Sequence, residues 1–313
     1  MSFKQKNFIS IVVYIHNVEY LIDNFLETLY RMMDDNFEKY EIICVNDGST
    51  DNSKEVIKTH AGKTSSCMLS IVNMSYYQGI EASMRAGIDL AIGDFVFEFD
   101  EIVLDFDPNL IMEVYNRSLQ GYDIVSCGKG NFRTSSKLFY SIYNRNSGTP
   151  YALRSETFRI ISRRGINRVQ SMSVNIPYRK AMYSNCGLSL DYLLYQPINT
   201  GAEQRQKQKQ RLKDPYDMAI TSLILFTNIA YKMSLFFSIV MMLATLGSLA
   251  YVVVVYLTGN PVAGYTTMMI LMSGAFFALF AILAMVIKYL SVILGLVFHK
   301  QRYLIESIEK ITG

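Results

Sequence analysis

Polar side chains follow several apolar runs, at the points where β-strands are expected to end. They are His16 and Asn17 after the first run, Asn46 and Asp47 after the second, and Asp100 and Glu101 after a later one. In an open α/β sheet, ligands bind at the carboxyl ends of the parallel strands. Carboxylates at such an edge can hold a hard divalent cation. The spacing therefore predicts an oxygen-rich binding site along one edge of a sheet.

Acidic and basic residues are segregated along the chain. Residues 89–107 contain seven acids and no base, whereas residues 129–180 contain eleven bases and one acid, Glu156. Clusters of arginine and lysine bind phosphate groups. An acidic strand end next to a basic segment predicts a diphosphate substrate carried with Mg²⁺ or Mn²⁺, beside a second anionic group. For any single residue, a solvated charged face is an equally good interpretation.

Apolar runs alternate with helical patterns over the first 130 residues. Runs rich in β-formers predict strands, and apolar residues at a 3.6-residue period predict helices. The strands are FISIVVYI (8–15), YEIICV (40–45), LSIVN (69–73), FVFEFD (95–100) and YDIVSC (122–127), and the helices cover 21–33, the residues after Asp51, 79–91 and 108–119. Continuous apolar strands are typical of a parallel sheet covered on both faces. The predicted fold class is therefore α/β, with a Rossmann-like, mostly parallel sheet.

A long uncharged tract follows this part of the chain. Residues 233–287 contain no Asp, Glu, Lys or Arg, and roughly 20 apolar residues span a bilayer. The turn residues of TGNPVAGYTT divide the tract, which predicts transmembrane helices near 233–257 and 265–287; a buried core hairpin is the alternative. Basic residues flank the tract and none lies in its loop, so the positive-inside rule places both termini in the cytoplasm. The expected location is the inner (cytoplasmic) membrane, as a multi-pass protein.

The segments that flank the uncharged tract are amphipathic. RQKQKQRLK (205–213) lies in a basic segment, 201–232, whose cations can face anionic headgroups; a solvated loop is the alternative. Apolar residues continue past Lys288 as far as Phe298, which is too far for one upright crossing. We therefore expect an interfacial amphipathic helix and a cytoplasmic tail over 288–313.

Composition excludes several other classes of protein. Half of the residues are apolar and no stretch is of low complexity, so the chain is neither disordered nor fibrous. The four cysteines form no CxxC pair, which argues against a zinc site or a disulfide framework. The net charge of +3 argues neither for nor against nucleic acid, but the basic segment lacks a nucleic-acid-binding motif and the chain is expected in a membrane, so we expect no nucleic acid partner.

Several blocks of the sequence resemble the inverting glycosyltransferases of family 2, which have the GT-A fold. ISIVVYIHNVEYLIDNFLETL and YEIICVNDGSTDNSKEVI resemble the opening of that family, and GIEASMRAGIDLAIGDFVFEFD resembles the block that ends in its DxD motif. SSKLFYSIYN, TFRIISRRGIN and KYLSVILGLVFHKQRYLI are similar to one branch, the polyprenyl-phosphate glycosyltransferases and dolichyl-phosphate mannose synthases with a C-terminal membrane hairpin. The resemblance implies a GT-A domain over 1–200, the hairpin at 233–287, and a candidate homo-oligomer.

The resemblance also implies roles for individual residues. Asp100 matches the first aspartate of the metal motif and would hold Mg²⁺ or Mn²⁺, but Ile102 occupies the place of the second, so Glu98, Glu101 or Asp105 would have to assist. The implied donor-binding residues are Tyr14, Asn17, Asn46, Asp47, Gly79 and Asp100; the catalytic residues are Asp100, Arg163 and Arg164; and the acceptor phosphate is assigned to Lys129, Arg133, Ser136 and Lys137. We expect His16 to pack or to stack on a base rather than to act as an acid or base.

These roles predict a membrane-anchored hexosyltransferase that uses a nucleotide sugar and a polyprenyl phosphate at the cytoplasmic face. Asp47 would lie near the nucleotide base, and Arg163 and Arg164 would stabilise the leaving nucleoside diphosphate. The acceptor phosphate, with a second pKa of about 6, needs no general base to attack and invert the anomeric carbon. Two alternatives stay open: a fold-retaining pseudo-enzyme or partner subunit with a degenerate metal site, and a glycosyltransferase that extends a cell-surface saccharide.

Overall fold

The computed structural model describes residues 4–129, 151–172, 178–198 and 303–311, with single positions between 140 and 145 and between 240 and 293. The chain forms two compact units, one comprising Met1–Asn144, Thr149–Met218 and Lys300–Gly313, the other Arg145–Gly148 and Ala219–His299. The predicted basic segment at 201–232 lies outside the described residues, and so do the predicted spans at 233–257 and 265–287, apart from single positions. No helix within the described part of the chain is long and apolar enough to cross a membrane.

The first unit is built on one mixed sheet. Its described strands lie in the order β7-β5-β6-β4-β1-β2-β3-β8. They are β1 (Ile9–Ile15), β2 (Tyr40–Asn46), β3 (Cys67–Met74), β4 (Phe95–Phe99), β5 (Ile124–Lys129), β6 (Phe158–Ser162), β7 (Leu190–Tyr195) and β8 (Ile305–Ile311). Strands β1 to β5 and β7 share one direction, whereas β6 and β8 run antiparallel to their neighbours. The predicted α/β class with a mostly parallel sheet is confirmed.

Helices cover both faces of the sheet and explain the continuous apolar strands. All residues of β1 and β2 are buried. Side chains of Ile11 and Val13 join one hydrophobic core, and those of Val12 and Tyr14 join a second core on the opposite face. The helices are α1 (Glu19–Asn36), α2 (Ser53–Thr59) and α4 (Asn109–Ser118) against the first core, and α3 (Ile80–Leu90), α5 (Arg163–Ser171) and α6 (Arg179–Asn185) against the second.

Helix α3 packs closely against the sheet at Gly87. Gly87 faces β1 and β2, and a Cβ at this position would lie 2.4 Å from Cγ1 of Val12 and 2.6 Å from Cγ2 of Val45. The absence of a side chain at Gly87 therefore sets the distance between α3 and the strands. This distance matters for the site, because the turn that leads into α3 lies at the carboxyl edge of the sheet.

The C-terminal segment contributes an edge strand. β8 pairs antiparallel with β3, in a register that places Ile311 opposite Leu69 and Ile308 opposite Val72. Exposure alternates along β8, as expected for a strand with one face toward the molecule. The predicted amphipathic helix and tail over 288–313 is therefore wrong for Ile305–Ile311. The physical reason is that IESIEKI alternates in polarity with a period of two and finds an unpaired edge in β3.

Candidate functional site

Asp47 lies at the carboxyl end of β2 and is fully buried. Its carboxylate accepts hydrogen bonds from the Tyr14 hydroxyl (2.9 Å), the backbone N–H of Gln78 (2.7 Å) and the backbone N–H of Gly79 (2.9 Å). Burial, together with the adjacent Asp47 carboxylate, raises the pKa of Tyr14, so the phenol stays a donor. Asp47 thus fixes the turn into α3. The sequence predicts that Asp47 lies near a nucleotide base, but neither oxygen of its buried carboxylate is exposed to make a direct contact.

Asn17 and Gly48 tie the ends of β1 and β2 together. Asn17 has a left-handed backbone (φ 52°), and its side-chain oxygen accepts from the backbone N–H groups of Thr50 (2.7 Å) and Asp51 (3.3 Å). Gly48 has φ 60°, and a Cβ there would lie 2.8 Å from the Tyr77 backbone nitrogen. The two turns therefore pack closely against each other. Of the predicted donor-binding residues, Asn17, Gly79 and Asp100 are partly exposed; the His16 ring, also partly exposed, packs against Tyr77 at 4.7 Å.

Asn46 lies in a chain of amides that leads to the C-terminal strand. Its Nδ2 donates to Oδ1 of Asn73 (3.0 Å), whose own Nδ2 donates to Ser307 (2.9 Å) and to Glu309 (2.9 Å). Glu309 also forms an ion pair with Lys54 at 2.6 Å. Asn46 is buried, so it links β2, β3 and β8 and does not open onto the edge.

At the end of β4, two buried arginines neutralise Glu98 and Asp100. Arg159 of β6 donates from Nη1 to Glu98 (2.7 Å), from Nη2 to Asp100 (3.0 Å) and from Nε to Glu156 (2.8 Å). Arg179, at the start of α6, donates from Nη2 to the other oxygen of Asp100 (2.7 Å) and also contacts Glu98. We call these residues, with Glu81 and Tyr183, the arginine–carboxylate cluster; Arg179 Nε donates to Glu81 (2.8 Å), and the Tyr183 hydroxyl donates to Glu98.

The electrostatics of the two strand carboxylates differ. Burial favours the neutral form of Asp100, but the guanidinium groups of Arg179 and Arg159, with the Lys180 ammonium, together hold its pKa well below the usual range. Glu98 is completely buried, and that desolvation raises its pKa in spite of the same two arginines. Asp100 is therefore a fixed anion with two guanidinium partners, one on each oxygen.

The donor set at this strand end does not fit a divalent cation. Both oxygens of Asp100 are engaged by guanidinium groups, and Glu98 has no exposed surface. Asp105 accepts from Tyr195 (3.0 Å) and pairs with Lys129 (3.1 Å). Over the described residues, no group of three or more potential ligands is found that could hold a metal ion. The described residues therefore do not fit the Mg²⁺ or Mn²⁺ site that the sequence predicts at Asp100 with Glu98 or Asp105. Glu101 is the remaining candidate, and one carboxylate does not make a site.

Lys129 ends β5 at the same edge of the sheet as Asp100, because β5 and β4 run in the same direction. Its ammonium is paired with Asp105, its side chain is 20% exposed, and burial lowers its pKa. The other predicted acceptor residues, Arg133, Ser136 and Lys137, lie outside the described residues.

Arg163 and Arg164 lie at the opposite edge of the sheet. Arg163 donates to the backbone oxygens of Gly93 (2.9 Å) and Ala91 (2.9 Å), which precede β4, and Arg164 donates to Asp123 (2.7 Å), which precedes β5. Because β6 is antiparallel to β4, the residues that follow it lie beside the amino end of β4. The predicted role of these two arginines on the leaving group is therefore wrong.

Arg159 and Arg179 were missed by sequence reasoning, although a signal was present. Glu98 is a charged residue inside the apolar run FVFEFD, and a carboxylate in a buried strand requires a charged partner. The basic segment 129–180 contains the candidate partners. The sequence could not identify which of its eleven bases would face Glu98, because the register of β6 against β4 decides it.

Comparison with known proteins identifies the domain. The sequence model described as "Glycosyl transferase family 2" matches residues 10–183, more than half of the chain. An uncharacterised glycosyltransferase of Synechocystis is 25% identical over 84% of this chain and 83% of its own. Undecaprenyl-phosphate 4-deoxy-4-formamido-L-arabinose transferase of Aeromonas hydrophila is 31% identical over 45% of this chain and 44% of its own. A Pyrobaculum calidifontis mannosyltransferase, solved with GDP-Man and Mn²⁺, superposes with a TM-score of 0.48 at 15% identity, covering 66% of this chain and 62% of its own.

Proposed function

This chain belongs to glycosyl transferase family 2, and from that membership we propose that it transfers a sugar from a nucleotide sugar to a polyprenyl phosphate. We propose further that it does so with inversion, anchored in the membrane by the tract 233–287, at the cytoplasmic face. The relatives named as undecaprenyl-phosphate transferases support the acceptor class. The location and the anchor rest on the charge pattern of the sequence.

The observation that carries the proposal is the position of Lys129. It provides a cation at the carboxyl edge of the sheet, the edge that also holds the Asp47 turn and Asp100. An acceptor that is itself a phosphate needs a cation to hold it, and it needs no base to deprotonate it because its second pKa is about 6. A hydroxyl acceptor would need a base near the edge, and Asp47, Asp100 and Asp105 are each engaged there with protein donors or cations.

The proposed reaction is an in-line displacement at the anomeric carbon. An oxygen of the acceptor phosphate forms the new bond to C1 as the bond from C1 to the diphosphate oxygen breaks, and the electron pair leaves with the nucleoside diphosphate. The configuration at C1 is inverted. Asp47 contributes by fixing the turn that bears the backbone of Gln78 and Gly79, and Lys129 contributes by orienting the acceptor.

The decisive experiment incubates the full-length protein, in detergent with phospholipid, with undecaprenyl phosphate and a panel of radiolabelled nucleotide sugars. Transfer of label into the organic phase with one donor supports the proposal. Binding of a nucleotide without any product favours the second candidate, a pseudo-enzyme or partner subunit, for which the occupied carboxylate Asp100 is the specific observation.

A first prediction concerns Lys129→Ala. Removal of a charge-assisted contact of roughly 1.5–3 kcal/mol should raise KM for the lipid phosphate about tenfold or more, while the nucleotide Kd stays unchanged. The matched control is Lys39→Ala, since Lys39 is exposed just before β2, at the far edge of the sheet. Lys129→Arg should retain most of the affinity. A weaker nucleotide Kd in Lys129→Ala, with an unchanged KM for the lipid phosphate, would show that the acceptor site is elsewhere.

A further inference from the structure

The arginine–carboxylate cluster places two guanidinium groups at Asp100, the residue at which a metal-dependent transferase of this pattern would bind a metal ion. Each oxygen of Asp100 accepts a hydrogen bond from a different guanidinium, at 3.0 Å from Arg159 and 2.7 Å from Arg179. Both arginines are almost completely buried, with side chains 1% and 3% exposed. They are therefore permanent partners of this carboxylate and not surface groups that solvent could readily replace.

Electrostatics at this position disfavour a further cation. A divalent ion bound to Asp100 would lie about 2 Å from an oxygen that already faces a guanidinium, and like charges at such a distance repel strongly where water is excluded. The Lys180 ammonium adds a third positive charge near Asp100. The other acids of the cluster do not offset this, because Glu81 and Glu156 are each engaged by the Nε of one arginine and Glu98 is fully buried.

The second ligand position of a metal site is absent as well. Ile102 follows Asp100 by two residues and is 2% exposed, packed in the hydrophobic core. An apolar side chain that is anchored in this way provides no oxygen and cannot rotate to make room for one. The isoleucine at position 102 and the two arginines are therefore consistent with each other: this strand end offers no second metal ligand there and holds cations of its own.

We propose that Arg159 and Arg179 replace the divalent cation at Asp100, so that nucleotide binding and sugar transfer by this protein require no metal ion. The proposal rests on the proposed function for its transfer step, but its binding step stands on the cluster alone. Arg159 and Arg179 are positioning residues, since they are too deeply buried to reach a substrate and act through Asp100 and the end of β4.

The first test uses Mn²⁺ alone. Titration of Mn²⁺ into the full-length protein, followed by the electron paramagnetic resonance signal of the free ion, should detect no bound ion until Mn²⁺ reaches the millimolar range. One ion bound per chain at micromolar Mn²⁺, and lost in Asp100→Asn, would overturn the proposal. This arm needs neither a donor nor an acceptor, so its result does not depend on the proposed function.

The second test uses UDP and GDP as probes. Their Kd, measured by calorimetry in EDTA and in Mg²⁺ or Mn²⁺, should differ by less than about threefold. A loss of affinity of more than about tenfold in EDTA would overturn the proposal. Where label transfer to undecaprenyl phosphate is detected, it should continue in EDTA. Transfer that stops in EDTA contradicts this inference and leaves the proposed function intact, whereas cation-independent nucleotide binding without transfer contradicts the proposed function alone.

A gain-of-binding variant separates replacement of the metal from a purely structural role. Arg179→Gln removes one guanidinium from Asp100 and should lower the Mn²⁺ concentration needed for binding by about tenfold or more. Arg154→Gln is the matched control, because Arg154 is exposed and contacts the Tyr192 ring outside the cluster. If a folded Arg179→Gln protein binds Mn²⁺ no better than Arg154→Gln, the arginines do not exclude the ion. The wild-type titrations decide the question if the variant does not fold.

Discussion

At the scale of single residues, Asp47 and Asp100 both follow a parallel strand, yet they are satisfied in different ways. Asp47 accepts from one phenol and two backbone N–H groups, all of them neutral donors. Asp100 accepts from two guanidinium groups. The hydrogen bonds to Asp47 stabilise a turn, because two of the donors are backbone N–H groups just before α3. The hydrogen bonds to Asp100 neutralise its negative charge, because both donors are positively charged.

Asp47→Asn tests the role of Asp47 in the turn. The amide has one acceptor oxygen and places its NH₂ against one of three donors, so a buried donor loses its partner at a cost of about 1–3 kcal/mol. We expect the free energy of unfolding in urea to fall by that amount and the nucleotide affinity to fall with it. Asp35→Asn is the control, since Asp35 is exposed on α1 and such changes stay within about 0.5 kcal/mol. Equal stability of the two variants would contradict the assignment.

Sequence reasoning located the strand-end residues but not their exposure. The positions of Asp47 and Asp100 follow from the ends of the apolar runs YEIICV and FVFEFD. The groups that satisfy their carboxylates come from distant parts of the chain, such as Gln78 and Arg179. Hydrophobic patterns report which face of a strand is covered, and they carry no information on which side chain satisfies a carboxylate. For this reason the pattern indicated Asp100 as a metal ligand without showing that each of its oxygens accepts from a guanidinium group.

At the scale of elements, strands β1 to β5 were predicted because their residues are apolar on both faces. β6 (Phe158–Ser162) was not predicted, since five residues in a basic segment make a weak pattern. Its direction could not be inferred at all: periodicity is the same whether a strand runs parallel or antiparallel. Because β6 is antiparallel to β4, Arg163 and Arg164, which follow β6, lie at the edge of the sheet opposite Asp100. β8 was missed because it follows a long apolar tract and reads as a tail.

The C-terminal strand is joined to the Asp47 turn through one side chain. Gln78 donates from Nε2 to the backbone oxygen of Leu304 (2.6 Å) and accepts from its backbone N–H (2.9 Å), while its own backbone N–H reaches Asp47. Residue 304 immediately precedes β8. The position of β8 and the shape of the candidate donor edge are therefore coupled through a short path of hydrogen bonds.

Gln78→Ala tests this coupling while leaving the backbone contact to Asp47 in place. The Leu304 amide loses its acceptor, and we expect its hydrogen exchange, and that of the first residues of β8, to accelerate by about three- to tenfold, which corresponds to a partly exposed hydrogen-bond pair of about 0.5–1.5 kcal/mol. Gln120→Ala, an exposed glutamine after α4, is the control and should leave β8 unchanged. Unchanged exchange at Leu304 in Gln78→Ala would show that β3 alone holds the strand.

At the scale of the whole molecule, the sheet limits the ways in which the uncharged tract could cross a membrane. Residues on both sides of the uncharged tract belong to one compact unit, because β7 ends at Tyr195 and β8 begins at Ile305 in the same sheet. A folded domain lies on one side of a bilayer. If residues 233–287 are inserted, they must therefore cross an even number of times, and their length of 55 residues fits two crossings of roughly 20 residues each.

A pair of topology reporters tests this argument in the full-length chain. A reporter fused after Gly313 should report the cytoplasm, because β8 must reach β3 on the side where the domain folds and because basic residues flank the tract on that side. A reporter inserted in the loop at 259–264 should report the opposite side. Both reporters in the cytoplasm would mean that the tract does not cross. A C-terminal reporter outside the cytoplasm would imply an odd number of crossings, which is incompatible with the β3–β8 pairing if the remainder of the sheet is cytoplasmic.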